Sequence, residues 1–385
     1  MSEINVPESF SEEEINDIQC VDTFDYDSVT ENHWLFERAS VLNSLLLLGL
    51  VIHDGADLTS TLCRVKRVAT GVELTVNSGD IAVRTTIPIL NPEHILDKCF
   101  LVNFSVFATL IKNAGPKFLI KESEGAPVMS LQGGTAELET FNIENEPEVY
   151  DLAVFNDTEG FSSFPSSDFY GLLQRCSASM ALAQTPESRK VRIEQDGTAY
   201  SNFIASVFMT SGSPVTGVSL RAIDVQVLLR LMTEGANFQF KEVPAGYLFE
   251  SQASKVLLRK WKTDEAKGIA EFFLPADTPR FSISPSYAIK ILSIMREVLG
   301  AMGVLRWESR GGKLLVSART RQGKLLSFPL ASIPQDFTFN ILCPVNVVWG
   351  MLTLFRNEGA LDILVAGSRM QFVSEKITVL FGSNI

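Results

Sequence analysis

Side chains able to do covalent chemistry are few in this 385-residue chain, and their spacing does not suit it. His33, His53 and His94 are scattered, and none stands at zinc-ligand spacing from Cys20, Cys63, Cys99, Cys176 or Cys343. Five dispersed cysteines favour free thiols in a reducing compartment over a disulfide framework. Arg310-Gly-Gly-Lys313 lacks the upstream glycine and the following Ser or Thr of a phosphate loop and sits between two strand-like runs, so a hairpin is expected there. No Gly-x-Ser-x-Gly elbow occurs, and turn formation around Gly55 accounts for Asp54 and Asp57. The expectation is no catalytic residue, no metal and no cofactor.

The chemistry that remains is electrostatic. Net charge is −12, yet eleven acids and no Lys or Arg precede Arg38, while the rest of the chain carries 33 basic and 34 acidic side chains. The acidic extension, residues 1–32, reads as a solvated tail or linker, or as a segment that competes with DNA for a basic surface or docks a partner. Ser11 with Glu14 fits a capping box there. Candidate helices span roughly 40–52, 103–114, 166–182, 219–234, 285–300 and 344–358. On them or at their ends lie Lys112, Arg175, Arg221, Arg230, Lys290, Arg296 and Arg356, against few acids (Asp168, Asp224, Glu234, Glu297 and Glu358). Facing one way, these helices would offer phosphates a sequence-independent basic surface; singly, each cation also reads as an exposed helix position that aids solubility.

The elements that must position those cations recur. Leu110-Ile-Lys-Asn-Ala-Gly115, Leu231-Met-Thr-Glu-Gly235 and Leu354-Phe-Arg-Asn-Glu-Gly359 each read as a last helical turn, a glycine and then an apolar strand, with the glycines 120 and 124 residues apart. Glycine there suits a left-handed helix-ending residue. Gly71, Gly197 and Gly312 each sit between two β-rich runs, and Asp196-Gly197 and Gly311-Gly312 are favoured hairpin pairs. Units of about 120 residues exceed the roughly 20–50 of a solenoid repeat, so three domains with their own cores are expected. The longest apolar stretch, Leu45 to Ile52, falls far short of the roughly 20 residues of a membrane helix, and the acidic N-terminus lacks a signal-peptide pattern.

Over about residues 33–385 the chain resembles a bacterial-type DNA sliding clamp, the beta subunit of DNA polymerase III. The stretch from Phe100 through the glycine turn to Met129-Ser-Leu-Gln-Gly-Gly and Glu137-Leu-Glu-Thr-Phe-Asn-Ile follows that family's order of second helix, hairpin and closing strand. Phe169-Tyr-Gly-Leu-Leu-Gln-Arg-Cys-Ser-Ala-Ser-Met-Ala resembles the helix that opens the middle domain, and Ile377-Thr-Val-Leu-Phe-Gly-Ser-Asn-Ile385 the closing strand and tail. The threefold order and the length carry the match. It implies an α+β fold of three tandem clamp domains, 33–152, 153–276 and 277–385, with helices inside and antiparallel sheets outside. Two protomers would join head to tail in a ring around duplex DNA.

The resemblance further implies a non-enzymatic processivity factor of the bacterial cytoplasm or nucleoid, or of an infected host, that tethers DNA polymerase and is opened by a clamp loader. A clamp-fold scaffold for transcription or repair without DNA encirclement is the alternative, and an enzyme or a β-rich receptor-binding protein comes third. Carried over by position, the family's partner-peptide pocket would comprise Leu172, Pro275, Val379, Leu380, Phe381 and Gly382, with Phe381 as its anchor; an ordinary core strand is the other reading of Val379 to Phe381. Two departures suggest a pocket reshaped for a dedicated partner, as in a virus or plasmid with its own replication proteins. Tyr200-Ser-Asn-Phe-Ile-Ala-Ser-Val-Phe-Met-Thr210 replaces an Asp-Gly-His-Arg-Leu-type stretch, and Gly382 stands where proline is common.

Overall fold

The computed structural model describes residues 33–52, 61–92, 98–131, 134–141, 153–180, 190–203, 206–233, 237–260, 273–300 and 303–382. The acidic extension, Cys20, His53, His94, Asp54, Asp57 and Gly235 lie outside the described residues.

One order of elements runs three times along the chain: strand, helix, four strands, helix, three strands. The first pass is β1 (His33–Glu37), α1 (Arg38–Gly49), β2 (Leu62–Val68), β3 (Gly71–Asn77), β4 (Ile81–Ile87), β5 (Cys99–Asn103), α2 (Phe104–Lys112), β6 (Lys117–Ser123), β7 (Ala126–Leu131) and β8 (Gly134–Glu137), with a short β9 (Thr140–Phe141) appended. The second is β10 (Ser162–Pro165), α3 (Ser166–Met180), β11 (Lys190–Ile193), β12 (Ala199–Phe203), β13 (Ser206–Thr210), β14 (Val218–Arg221), α4 (Ala222–Met232), β15 (Asn237–Val243), β16 (Gly246–Glu250) and β17 (Ser254–Arg259). The third is β18 (Arg280–Ile283), α5 (Pro285–Leu299), β19 (Val304–Arg310), β20 (Lys313–Arg319), β21 (Leu325–Ser332), β22 (Asn340–Pro344), α6 (Val345–Thr353), β23 (Leu361–Ala366), β24 (Arg369–Val373) and β25 (Ile377–Gly382). All six predicted helices form, with ends shifted by a few residues.

Compactness divides the chain into two units, residues 1–158 with 253–257, and 159–252 with 258–385. In the first, β1-β6-β7-β8 form one antiparallel sheet and β4-β3-β2-β5-β9 a second run. Trp34, stacked on Phe100 at 5.8 Å, and Phe36, stacked on Phe118 at 5.2 Å, fill its core. In the second, eight strands run β14-β11-β12-β13-β25-β24-β23-β18, so the C-terminal strand β25 is hydrogen-bonded on both sides. A separate sheet, β21-β20-β19-β22, contributes Trp307, which meets Phe372 of β24 edge-on at 6.0 Å. Helices pair as α1 with α2, α3 with α4 and α5 with α6.

Local chemistry explains the boundaries. Asn103 caps α2 by accepting the Val106 N–H at 3.1 Å, and Pro285 opens α5, where its missing N–H costs nothing. The hairpin glycines behave as their pairs suggest: Gly197 (φ 78°), Gly311 (φ 58°) and Gly312 (φ 70°) are left-handed, and Arg310-Gly-Gly-Lys313 is a two-residue hairpin. Helix-ending glycines do not follow expectation. Gly115 and Gly359 are absent from the left-handed set; α2 ends at Asn113 (φ −95°) and α6 at a right-handed Leu354 (φ −62°), and a further turn precedes each glycine.

Gly71 is required for space, not for φ. It opens β3 opposite Val68, and a Cβ there would lie 2.1 Å from the Ile87 carbonyl oxygen of β4. Gly71→Ala should therefore push β3 from β4 and destabilise the first unit by about 1–3 kcal/mol, the usual cost of overpacking. Chemical denaturation followed by far-UV dichroism checks this; an unshifted midpoint would show that the strands yield freely.

Candidate nucleic-acid interface and partner pocket

The predicted cations divide by environment. Lys112 in the last turn of α2, Lys290 and Arg296 on α5, and Arg356 just past α6 are exposed, whereas Arg175, Arg221 and Arg230 are half-buried. Arg221 has a structural task at the start of α4. Its Nε and Nη2 donate to Asp224 Oδ2 and Oδ1 at 3.0 and 2.9 Å, and its backbone N–H to Oδ2 at 2.7 Å. Asp224 is buried, so the ion pair and the helix start depend on one another. Arg175 Nη2 donates to Thr210 Oγ1 at 3.4 Å, which ties α3 to β13. Arg296 lies over the Trp349 ring, its Cζ 4.4 Å from the centroid.

The four pocket residues on β25 fall on both faces of its sheet. Register places Val379 beside Phe208 and Phe372, and Phe381 beside Met370, on the face that Trp307 covers; Leu380 opposes Gln371 on the other face. Every residue of β25 is buried, with Phe381 only 3% exposed. A strand paired on both edges and covered on both faces has nothing left to offer solvent. Leu172 is buried on α3, which packs on β12 and β13, while Pro275 is exposed.

On the Leu380 face an apolar cluster does form. Leu380 packs with Leu274 and Leu364, flanked by Phe273, Ala366 and Val373, and the Phe273 ring lies 6.2 Å from that of Tyr200. The buried Gln371 fastens the connecting segment, since its Oε1 accepts the Leu274 N–H at 2.6 Å. Burial, with the negative charges of Asp196 and Glu194 nearby, pushes the Tyr200 hydroxyl up. Phe273, Leu274, Leu364 and Gln371 were not singled out from sequence, whereas Tyr200 opens the stretch that departs from the family pattern; the alternation from Ile377 to Gly382 separates Leu380 from Val379 and Phe381.

No protein-family model matches the chain, and no characterised protein matches it by sequence. Solved structures do match. The DNA polymerase sliding clamp of Bacillus subtilis superposes with a TM-score of 0.74 at 10% identity, covering 91% of this chain and 98% of that one. The DNA polymerase III subunit beta of Pseudomonas aeruginosa gives 0.75 at 13% (91% and 99%), and the Helicobacter pylori beta clamp bound to a DNA ligase peptide gives 0.72 at 12% (91% and 99%). The chain has the sliding-clamp fold.

Among the described residues no three His, Cys, Asp or Glu side chains converge as metal ligands. Burial pushes the thiols of Cys63 and Cys176 up to about 12 and raises that of Cys343 as well, so none supplies a thiolate near neutral pH. No described helix is long and apolar enough to cross a membrane.

Proposed function

We propose that this chain is a DNA sliding clamp: clamp domains 33–152, 153–276 and 277–385, two copies joined head to tail, and a closed ring through which duplex DNA passes. The observation that carries the reading is the threefold element order together with a clamp fold spanning 91% of the chain. Head-to-tail contact between two copies closes a ring whenever the rotation closes, and helix cations meeting phosphates hold DNA without reading bases, which permits sliding. The chain performs no catalysis in this reading. It tethers a polymerase, and a loader opens it, both through short apolar peptides; the Helicobacter pylori clamp is bound to a DNA ligase peptide. The partly buried Phe273, Ala366 and Val373, with the exposed Pro275, are the surface we assign to them, and the buried Leu380 and Leu274 form the floor beneath.

Retention on DNA tests this. Loaded on nicked circular duplex, the protein should stay bound through gel filtration at a salt concentration that abolishes ordinary binding, and linearising the circle should release it. Equal retention on circle and line would overturn encirclement and favour the scaffold reading. Sedimentation should give a dimer at micromolar concentration.

A further inference from the structure

Arg296 is an exposed cation held against an aromatic ring. It sits in the last turn of α5, and its guanidinium lies over Trp349 with Cζ 4.4 Å from the ring centroid. The indole is itself fixed: its Nε1–H donates to Ser293 Oγ at 3.0 Å, and Ser293 Oγ donates to the Ile289 carbonyl at 2.8 Å. So α6 presents an aromatic plate to α5, anchored one turn before the arginine it carries. Among the described residues the Arg296 guanidinium has no carboxylate partner.

We infer that Trp349 is a positioning residue that holds Arg296 as a preordered phosphate-binding group, an inference that rests on the DNA-clamp reading above. Stacking uses the face of the guanidinium and leaves its in-plane N–H donors free, and these match two phosphate oxygens in a fork. A side chain already fixed loses less conformational freedom when an anion arrives. The ligand is the phosphodiester backbone of duplex DNA. The indole adds no charge, so its contribution differs in kind from that of the cation.

The test is a cycle of Arg296→Ala, Trp349→Leu, Trp349→Phe and the double variant Arg296→Ala/Trp349→Leu in the full chain, each confirmed folded by thermal melt. Affinity for a fluorescent duplex is measured across a salt series. Arg296→Ala should weaken binding and flatten the salt slope by about 0.9. Trp349→Leu should weaken binding about two- to fivefold, the size of an exposed cation–π contact, with the slope unchanged because the charge remains. Trp349→Phe should recover part of the loss, and Trp349→Leu should cost nothing further once Arg296 is gone. If the wild type fails to bind duplex, the DNA reading falls. If it binds but Trp349→Leu changes affinity less than twofold, or costs as much without Arg296, the positioning role alone is overturned.

Discussion

Phe381→Ala lowers the unfolding temperature of the unit formed by residues 159–252 and 258–385, and does so before it affects any partner. Phe381 is 3% exposed on β25, which β13 and β24 flank on either side. Truncating a buried phenylalanine costs about 3–5 kcal/mol, the lost transfer energy plus the cavity left behind. For a unit of this size that is a fall of about 6–20 °C. Differential scanning calorimetry with sedimentation on the same sample reads both consequences. An unshifted transition with loss of peptide binding would restore Phe381 as a pocket anchor. Leu380 faces the opposite way, so the cluster it shares with Leu274 and Leu364 is where partner binding and stability should be most closely linked.

The contrast between Phe381 and Leu380 shows where sequence stops informing. Apolar runs, helix periods and turn pairs are local, and the helices and the hairpins at Gly197 and Gly311-Gly312 were legible because each needs only its own few residues. Whether β25 is an edge strand or a central one depends on β13, about 170 residues away, and no local pattern carries that. Gly71 looked like a hairpin glycine but answers to a carbonyl on β4, a through-space constraint. The glycines after the helices were visible as punctuation, yet not their conformation, because a helix can also stop through a right-handed cap and a further turn, as at Leu354.

Charge was legible in type but not in employment. Arg221 reads from sequence like any helix-start cation, and Asp224 three residues on was the available clue that the pair would close on itself. A side chain that meets a phosphate must be exposed, which leaves Lys112, Lys290, Arg296 and Arg356 as the set to test.

Replacing those four together by Ala should flatten the dependence of log affinity on log salt by about 0.9 for each that meets a phosphate, and so weaken duplex binding by about three orders of magnitude near 0.1 M salt if all four do. The loss should be equal on unrelated sequences, because phosphate contacts position without specifying. Melting temperature should hold within a degree or two, since exposed substitutions away from buried networks cost little. Arg221→Ala serves as the opposite control: it leaves the buried Asp224 carboxylate without its guanidinium and should lower stability by about 1–3 kcal/mol while changing the salt slope little. Fluorescence anisotropy over a salt series, with thermal melts of both variants, separates the two behaviours. A quadruple variant that keeps the full slope would place the DNA-facing surface elsewhere on the chain, and an Arg221→Ala protein that stays as stable as wild type but loses slope would return that arginine to the interface.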